Sequence, residues 1–253
     1  MVVEIGIVGV VVAGAVCAGF VQGVSGFAFG MVAMSFWAWV LEPQVAAVLS
    51  VCCSLAGQLL AALGVRRGAH WRQLLPFVLG GLVGIPVGLW LLPQMDMLWF
   101  KAVLGTLLLV WCPTMLLLRH LPPITHGGRV ADAVAGWAGG VLGGLGGFTG
   151  TVPTLWCSLR GYAKDTQRAV IQNFNLAMLL VVALLYVQRG LVTGPVLHWL
   201  AWVLPAMLIP AWLGMRTYKG LSDAAFRQLI LVMLTLSGLA MLASALPQLL
   251  TGA

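Results

Sequence analysis

Long charge-free runs constrain this chain more than any other feature: residues 5–41, 43–65, 73–95, 133–159, 169–188, 190–215 and 228–253 contain no Asp, Glu, Lys or Arg. A helix crosses the hydrocarbon core of a bilayer with about 20 apolar residues, and most of these runs supply them. Only 8% of the chain is charged, whereas water-soluble domains carry roughly 25%. The chain therefore reads as an all-α polytopic membrane protein. A net charge of +7 would point to nucleic acid in a soluble protein. Here it is assigned to cytoplasmic loops beside anionic lipid, so the bilayer is the expected partner and no nucleic acid is. The opening Met-Val-Val-Glu lacks the basic start of a signal peptide, so residues 5–22 are read as structural. Cys17, Cys52, Cys53, Cys112 and Cys157 lack CxxC spacing and lie in apolar runs, as small buried hydrophobes do.

The apolar segments fall at about 5–22, 27–41, 43–64, 73–92 and 97–118, then 131–146, 148–159, 166–188, 195–215 and 224–250. The polar break between Arg119 and Arg129 divides them into a first repeat, 1–119, a cytoplasmic linker, 120–130, and a second repeat, 131–253. Matches recur in order across the halves: Ala47-Val48-Leu49 with Ala169-Val170-Ile171, Arg67-Gly68 with Arg189-Gly190, and Gly88, Phe100 and Lys101 with Gly214, Phe226 and Arg227. Five segments per half invert the second repeat relative to the first. Loop charge agrees: of the 13 basic residues this arrangement leaves only Lys101 and Arg189 on the outer side, so both termini are expected outside. In a protein stripped of its native cysteines, one placed at position 122 should be protected from an impermeant thiol reagent, and one at 94 should react. Both positions reacting from one side would overturn the inverted topology.

Each half opens on a glycine-rich hairpin, Gly19-Phe20-Val21-Gln22-Gly23-Val24-Ser25-Gly26-Phe27 in the first and Gly140-Val141-Leu142-Gly143-Gly144-Leu145-Gly146-Gly147-Phe148 in the second. Segments 27–41, 131–146 and 148–159 are too short to cross a core about 30 Å thick at about 1.5 Å per residue. Re-entrant or broken hairpins are expected, each made of two half-helices, followed by three transmembrane helices. The second half-helices would begin near Gly26-Phe27 and Gly147-Phe148. Their free N–H groups and positive dipole ends would form an anion site at the midplane. Gln22, Ser25, Gly26, Phe27, Gly147, Phe148, Thr149 and Thr151 are the candidate substrate-binding residues of the two tips. The competing reading is that the glycines merely let helices approach.

A polar stripe accompanies the second hairpin. Arg168, Gln172 and Asn175 share one helix face by spacing, with Asn173 at similar depth on another. Carboxamides at that depth need a protein or cavity partner, and a substrate path is the favoured reading. All six acids lie at segment ends, which argues against a cation carrier or carboxylate proton relay. The histidines show no metal-ligand spacing, and HExxH, GxSxG and Walker motifs are absent. No catalytic residue, metal or cofactor is expected, and the chain is not read as an enzyme.

The first hairpin with Phe29-Gly30, the run Gly139 to Gly147 continuing to Pro153, and Gly161-Tyr162-Ala163-Lys164 through Arg168-Ala169 to Asn173 together resemble the sulfite exporter TauE/SafE family of membrane proteins. The resemblance covers essentially the whole chain. It implies carriage of a small sulfur-containing oxyanion, sulfite or an organosulfonate, across the bacterial cell membrane. Phe148-Thr149-Gly150 stands where many relatives continue with glycine. A channel or carrier for another small solute, or a non-transporting membrane-embedded enzyme or assembly subunit, are the alternatives. A homo-oligomer stays open.

Overall fold

A computed structural model describes residues 2–64, 70–117, 124, 126–217 and 223–251. All its regular elements are helical: α1 (Val2–Ser25), α2 (Phe29–Trp37), α3 (Pro43–Gly64), α4 (Trp71–Leu91), α5 (Met97–Leu117), α6 (Gly128–Gly146), α7 (Thr151–Leu159), α8 (Lys164–Gln188), α9 (Gly194–Thr217) and α10 (Asp223–Thr251), with a 3-10 turn at Leu92–Gln94. Among the described residues six stretches are long and apolar enough to span a bilayer, within α1, α3, α4, α5, α8 and α9. This is an all-α polytopic membrane protein. Its outer surface is apolar, with Leu63, Leu79, Val83, Leu184 and Ile209 exposed as lipid-facing residues are. Exposed Trp71, Trp90, Trp99 and Trp212 lie toward helix ends, where the bilayer interface favours indole.

The hairpins differ from two pairs of half-helices. Their first arms are long, 24 residues in α1 and 19 in α6, or about 36 and 28 Å. Only α2 and α7, nine residues each, are short, at about 13 Å. Glycine inside an apolar helix interior does not by itself break it, because intrahelical bonding satisfies the backbone wherever φ stays helical. The breaks fall at Gly26 and Gly147, whose φ of +85° and +78° lie in the left-handed region that costs other residues energy.

Helix punctuation is largely as the sequence implies. Pro43 opens α3, and Asp96 caps α5 by accepting from the Trp99 N–H at 2.8 Å. The segment 166–188 would put Asp165 at the cap, but α8 starts at Lys164, so this acid sits in the first turn instead, still favourable beside the helix dipole. Asp132 is buried within α6, accepting from Trp156 Nε1 of α7 at 2.7 Å. The two basic residues expected on the outer side have local partners. Lys101 Nζ lies 4.5 Å from the Trp39 ring centroid, and Arg189 donates to the Leu89 carbonyl near the end of α4 at 3.0 Å. The loop residues Arg66, Arg67, Arg119, Lys219 and Ser222, and linker residues 120–123 and 125, lie outside the described residues.

The halves interlock. Helix α1 packs on α9 and α4 on α6, while α3 meets α8 and α5 meets α10. Exchanging each helix of one half for its counterpart in the other maps these pairings onto themselves. Glycines make the pairings close. On α4, Gly80, Gly84 and Gly88 lie against the carbonyls of Ala133, Trp137 and Val141; on α6, Gly136, Gly140 and Gly144 lie against those of Phe77, Gly81 and Ile85. Gly19 and Gly23 of α1 meet the Met207 and Ala211 carbonyls of α9, and Gly105 and Gly238 face each other across α5 and α10. At spacing i, i+4, i+8 these are small-residue seams, where close backbone approach replaces a hydrophobic driving force that lipid cannot supply. Much of the glycine cluster thus serves packing.

Candidate functional site at the two hairpin tips

The breaks after α1 and α6 meet in the interior. A Cβ at Gly30, in the first turn of α2, would stand 3.3 Å from the Gly146 and Gly147 carbonyl oxygens, and one at Gly150 would stand 3.2 Å from Phe27 Cβ. Each tip is locally tied. In the first, the Gly26 N–H donates to the Gln22 carbonyl at 2.7 Å. The exposed Ser25 Oγ accepts from the Phe27 and Ala28 N–H groups at 3.4 and 3.3 Å. In the second, the Gly147 and Phe148 N–H groups donate back to the Gly143 and Leu142 carbonyls, the pairing of a left-handed glycine helix stop. The half-helices therefore begin at Phe29 and Thr151, two to four residues beyond the expected starts. The chain needs those residues to reverse direction before helical φ and ψ resume.

That shift makes the two N-termini unequal. An α-helix leaves its first N–H groups without intrahelical acceptors. On α2 these belong to Phe29, Gly30 and Met31, the next N–H, of Val32, being taken by the Ala28 carbonyl. On α7 the Thr151 N–H is bound by the Phe148 carbonyl and the Thr154 N–H by the Gly150 carbonyl. Pro153 has no N–H at all, which leaves Val152. The first tip holds most of the donors.

Two helices crossing between the tips supply polar side chains. From α8, Gln172 is buried with its Nε2 3.0 Å from where a Gly26 Cβ would be. Asn175, 1% exposed, accepts through Oδ1 from Thr149 Oγ1 at 2.9 Å. Arg168 is half-buried one turn earlier on the same face; Asn173 is half-buried off it. From α3 come residues that the sequence reading missed. Ser50 Oγ donates to the Gly146 carbonyl at 2.7 Å, the Ser54 carbonyl accepts from Gln22 Nε2 at 2.9 Å, and Gln58 Nε2 donates to the Gly26 carbonyl at 2.6 Å. Trp111 of α5, also missed, spans both tips. Its ring meets Phe27 edge-on at 6.0 Å, and its Nε1 donates to the Thr151 carbonyl at 2.8 Å. Thr151 turns its hydroxyl back onto the Phe148 carbonyl at 2.8 Å, and Phe148 is buried.

The structure thus places Gln22, Gly26, Phe27, Gly147, Phe148, Thr149, Thr151, Gln172 and Asn175 in or beside one buried polar junction. Ser25 and Thr151 spend their hydroxyls on the turns themselves. None of the described residues named at the junction is an acid, and Arg168 lies one turn nearer the start of α8 than Gln172. Two cavities lie elsewhere. One of about 620 Å³ is bordered by Glu42, Gln44, Gly190, Thr193 and Trp199; an apolar groove of about 480 Å³ lies between α6 and α7.

A family model described as sulfite exporter TauE/SafE matches residues 11–241. No curated protein and no solved structure matches the chain.

Proposed function

Because the chain belongs to the sulfite exporter TauE/SafE family, a family of membrane transporters, we propose that it carries a small sulfur-containing oxyanion, sulfite or an organosulfonate, bound where the two hairpin tips meet. One observation carries this reading: the N-terminus of α2 opens at a buried junction lined by carboxamides and hydroxyls and free of carboxylates. N–H groups at a helix start, with the dipole behind them, hold an anion without a buried cation. The second tip contributes shape and the Thr149–Asn175 pair more than donors, since α7 has few to offer. The polar junction is nearly sealed, with Gln22, Gln172, Thr149 and Asn175 all 4% exposed or less. That suits an occluded stage between openings to either side. We place the protein in the bacterial cell membrane with both termini outside, the halves forming inverted repeats.

In proteoliposomes the purified protein should give saturable uptake of labelled sulfite, accelerated by sulfite inside, as counterflow requires of a carrier. Arg168→Gln should raise the apparent KM severalfold with unchanged protein abundance, because a charge at the entrance raises local anion concentration. Arg216→Gln should leave transport nearly unaltered, since that guanidinium is stacked 3.7 Å from the Trp212 ring centroid. Flux that never saturates would overturn the carrier reading, and equal effects of the two substitutions would remove the special place of Arg168.

A further inference from the structure

Two buried polar atoms on neighbouring residues beside the first tip have no hydrogen-bond partner: Gln22 Oε1 and Ser54 Oγ. Their residues are 4% and 3% exposed. The orientation of the Gln22 carboxamide is set by chemistry. It faces the Ser54 carbonyl at 2.9 Å, which only accepts, so the nitrogen must be on that side and the oxygen on the other. Gly57 leaves room for this amide, since a Cβ there would fall 2.5 Å from its oxygen and carbon. A buried carbonyl oxygen left without a donor costs its full desolvation penalty, which folding alone does not recover.

The location is specific. Ser50, Ser54 and Gln58 follow one another at four-residue spacing on one face of α3. Ser50 Oγ bonds the second tip at Gly146 and stands 3.1 Å from where a Gly30 Cβ would be, in the first turn of α2. Gln58 bonds the first tip at Gly26. Ser54 lies between them, and Gln22 is one turn before Gly26 on α1. The orphaned pair therefore lies on the α3 face that runs between the tips, one turn from the serine beside the α2 start, and its chemistry is the opposite of the anion donors there. Gln22 Oε1 can only accept, and a serine hydroxyl can both accept and donate.

We propose that Gln22 Oε1 and Ser54 Oγ form a subsite that reads a hydrogen-bond donor on the transported oxyanion, so that the preferred substrate carries a hydroxyl or ammonium group in addition to its anionic head. This rests on the carrier reading above: the head meets the N–H groups of α2 while the donor meets the pair. An anion of similar size without a donor leaves both atoms unsatisfied, and sites built to bond a substrate hydroxyl reject the analogue that lacks it.

The test compares 2-hydroxyethanesulfonate with ethanesulfonate by calorimetry on the purified full-length protein. The hydroxylated ligand should bind about tenfold tighter or more, as one satisfied buried acceptor implies. Ser54→Ala and Gln22→Met should each shrink that ratio toward one, and a ratio that stays at its unmodified value in both variants would overturn the subsite. Equal affinities in the unmodified protein would overturn the donor subsite, with no need of the variants, and leave the carrier reading standing. Absence of binding by both sulfonates would overturn the subsite and the organosulfonate branch of the carrier reading, which the sulfite flux assay tests separately.

Discussion

Gly84→Val and Gly140→Val are expected to leave no monodisperse folded protein after extraction into mild detergent. Each glycine lies against a backbone carbonyl of the opposite helix, Gly84 against Trp137 and Gly140 against Gly81. A side chain can rotate away from an intruding methyl group, but a helical carbonyl cannot. The two helices would have to part along the seam, exposing further close contacts at Gly80, Gly88, Gly136 and Gly144. Ordinary overpacking of a core costs about 1–3 kcal/mol, and this case lacks the usual relief. Even Gly84→Ala should lower Tm by about 3–10 °C, using the scale for a chain of this size. Gly9→Ala serves as the opposite control. Nothing lies within 4 Å of a Cβ there, and alanine in a helix interior is favoured over glycine by roughly 0.5–1 kcal/mol. A melting temperature for Gly84→Ala equal to that of the unmodified protein would show that the α4–α6 seam is looser than described.

The second large effect concerns ligand rather than fold. Gly26→Val and Gly147→Val should each abolish sulfite-induced thermal stabilisation while the protein still inserts and purifies as a folded species. Both positions have positive φ, where a β-branched residue is strained. At Gly26 the added Cβ would press on Gln172 Nε2 at 3.0 Å, and at Gly147 it would meet Ser50 Oγ and Val51 Cγ2 at 3.3 Å. These neighbours are side-chain atoms that can shift, so the fold survives where the seam variants do not. Their displacement removes the polar lining of the junction. Gly6→Val, with open space around it, should retain stabilisation. Normal sulfite response in both tip variants would place the anion site elsewhere.

How far the residues alone reveal this arrangement depends on what each signal measures. Charge-free length identifies membrane helices because the hydrocarbon core tolerates little else, and that reading needed no structure. The glycine clusters marked both tips but not their division of labour. Helical phase separates them: Gly136, Gly140 and Gly144 point at α4, whereas Gly139 and Gly143 face Pro153 and Thr149. Only Gly26 and Gly147, of those in the two hairpins, turn the chain. The matching triplet Gly80, Gly84 and Gly88 was visible at four-residue spacing and would have identified the seam. The stripe on α8 stood out because it contains Arg168. Its counterpart on α3 escaped notice because serine hides in apolar helices, where its hydroxyl can return to the backbone. Trp111, mid-helix and distant in sequence from what it touches, offered only its depth as a hint. The unequal donor supply of the tips could be anticipated from Pro153 but not placed, since the true start of α7 depends on the turn geometry around Gly147.

The interlocking of the halves bears on how the chain is made. Gly19 and Gly23 of α1 find their carbonyl partners on α9, roughly 200 residues later, so at the ~5–20 residues per second of synthesis the first helix waits about 10–40 s for its mate. During that interval its glycine face meets lipid or whatever else the insertion machinery offers. Helix α4 waits a shorter time for α6, so the first seam to close joins the two halves rather than completing either one. Biogenesis thus proceeds by stitching α1–α5 to α6–α10, and a ribosome stalled after α5 would release a product with each of these glycine seams still open.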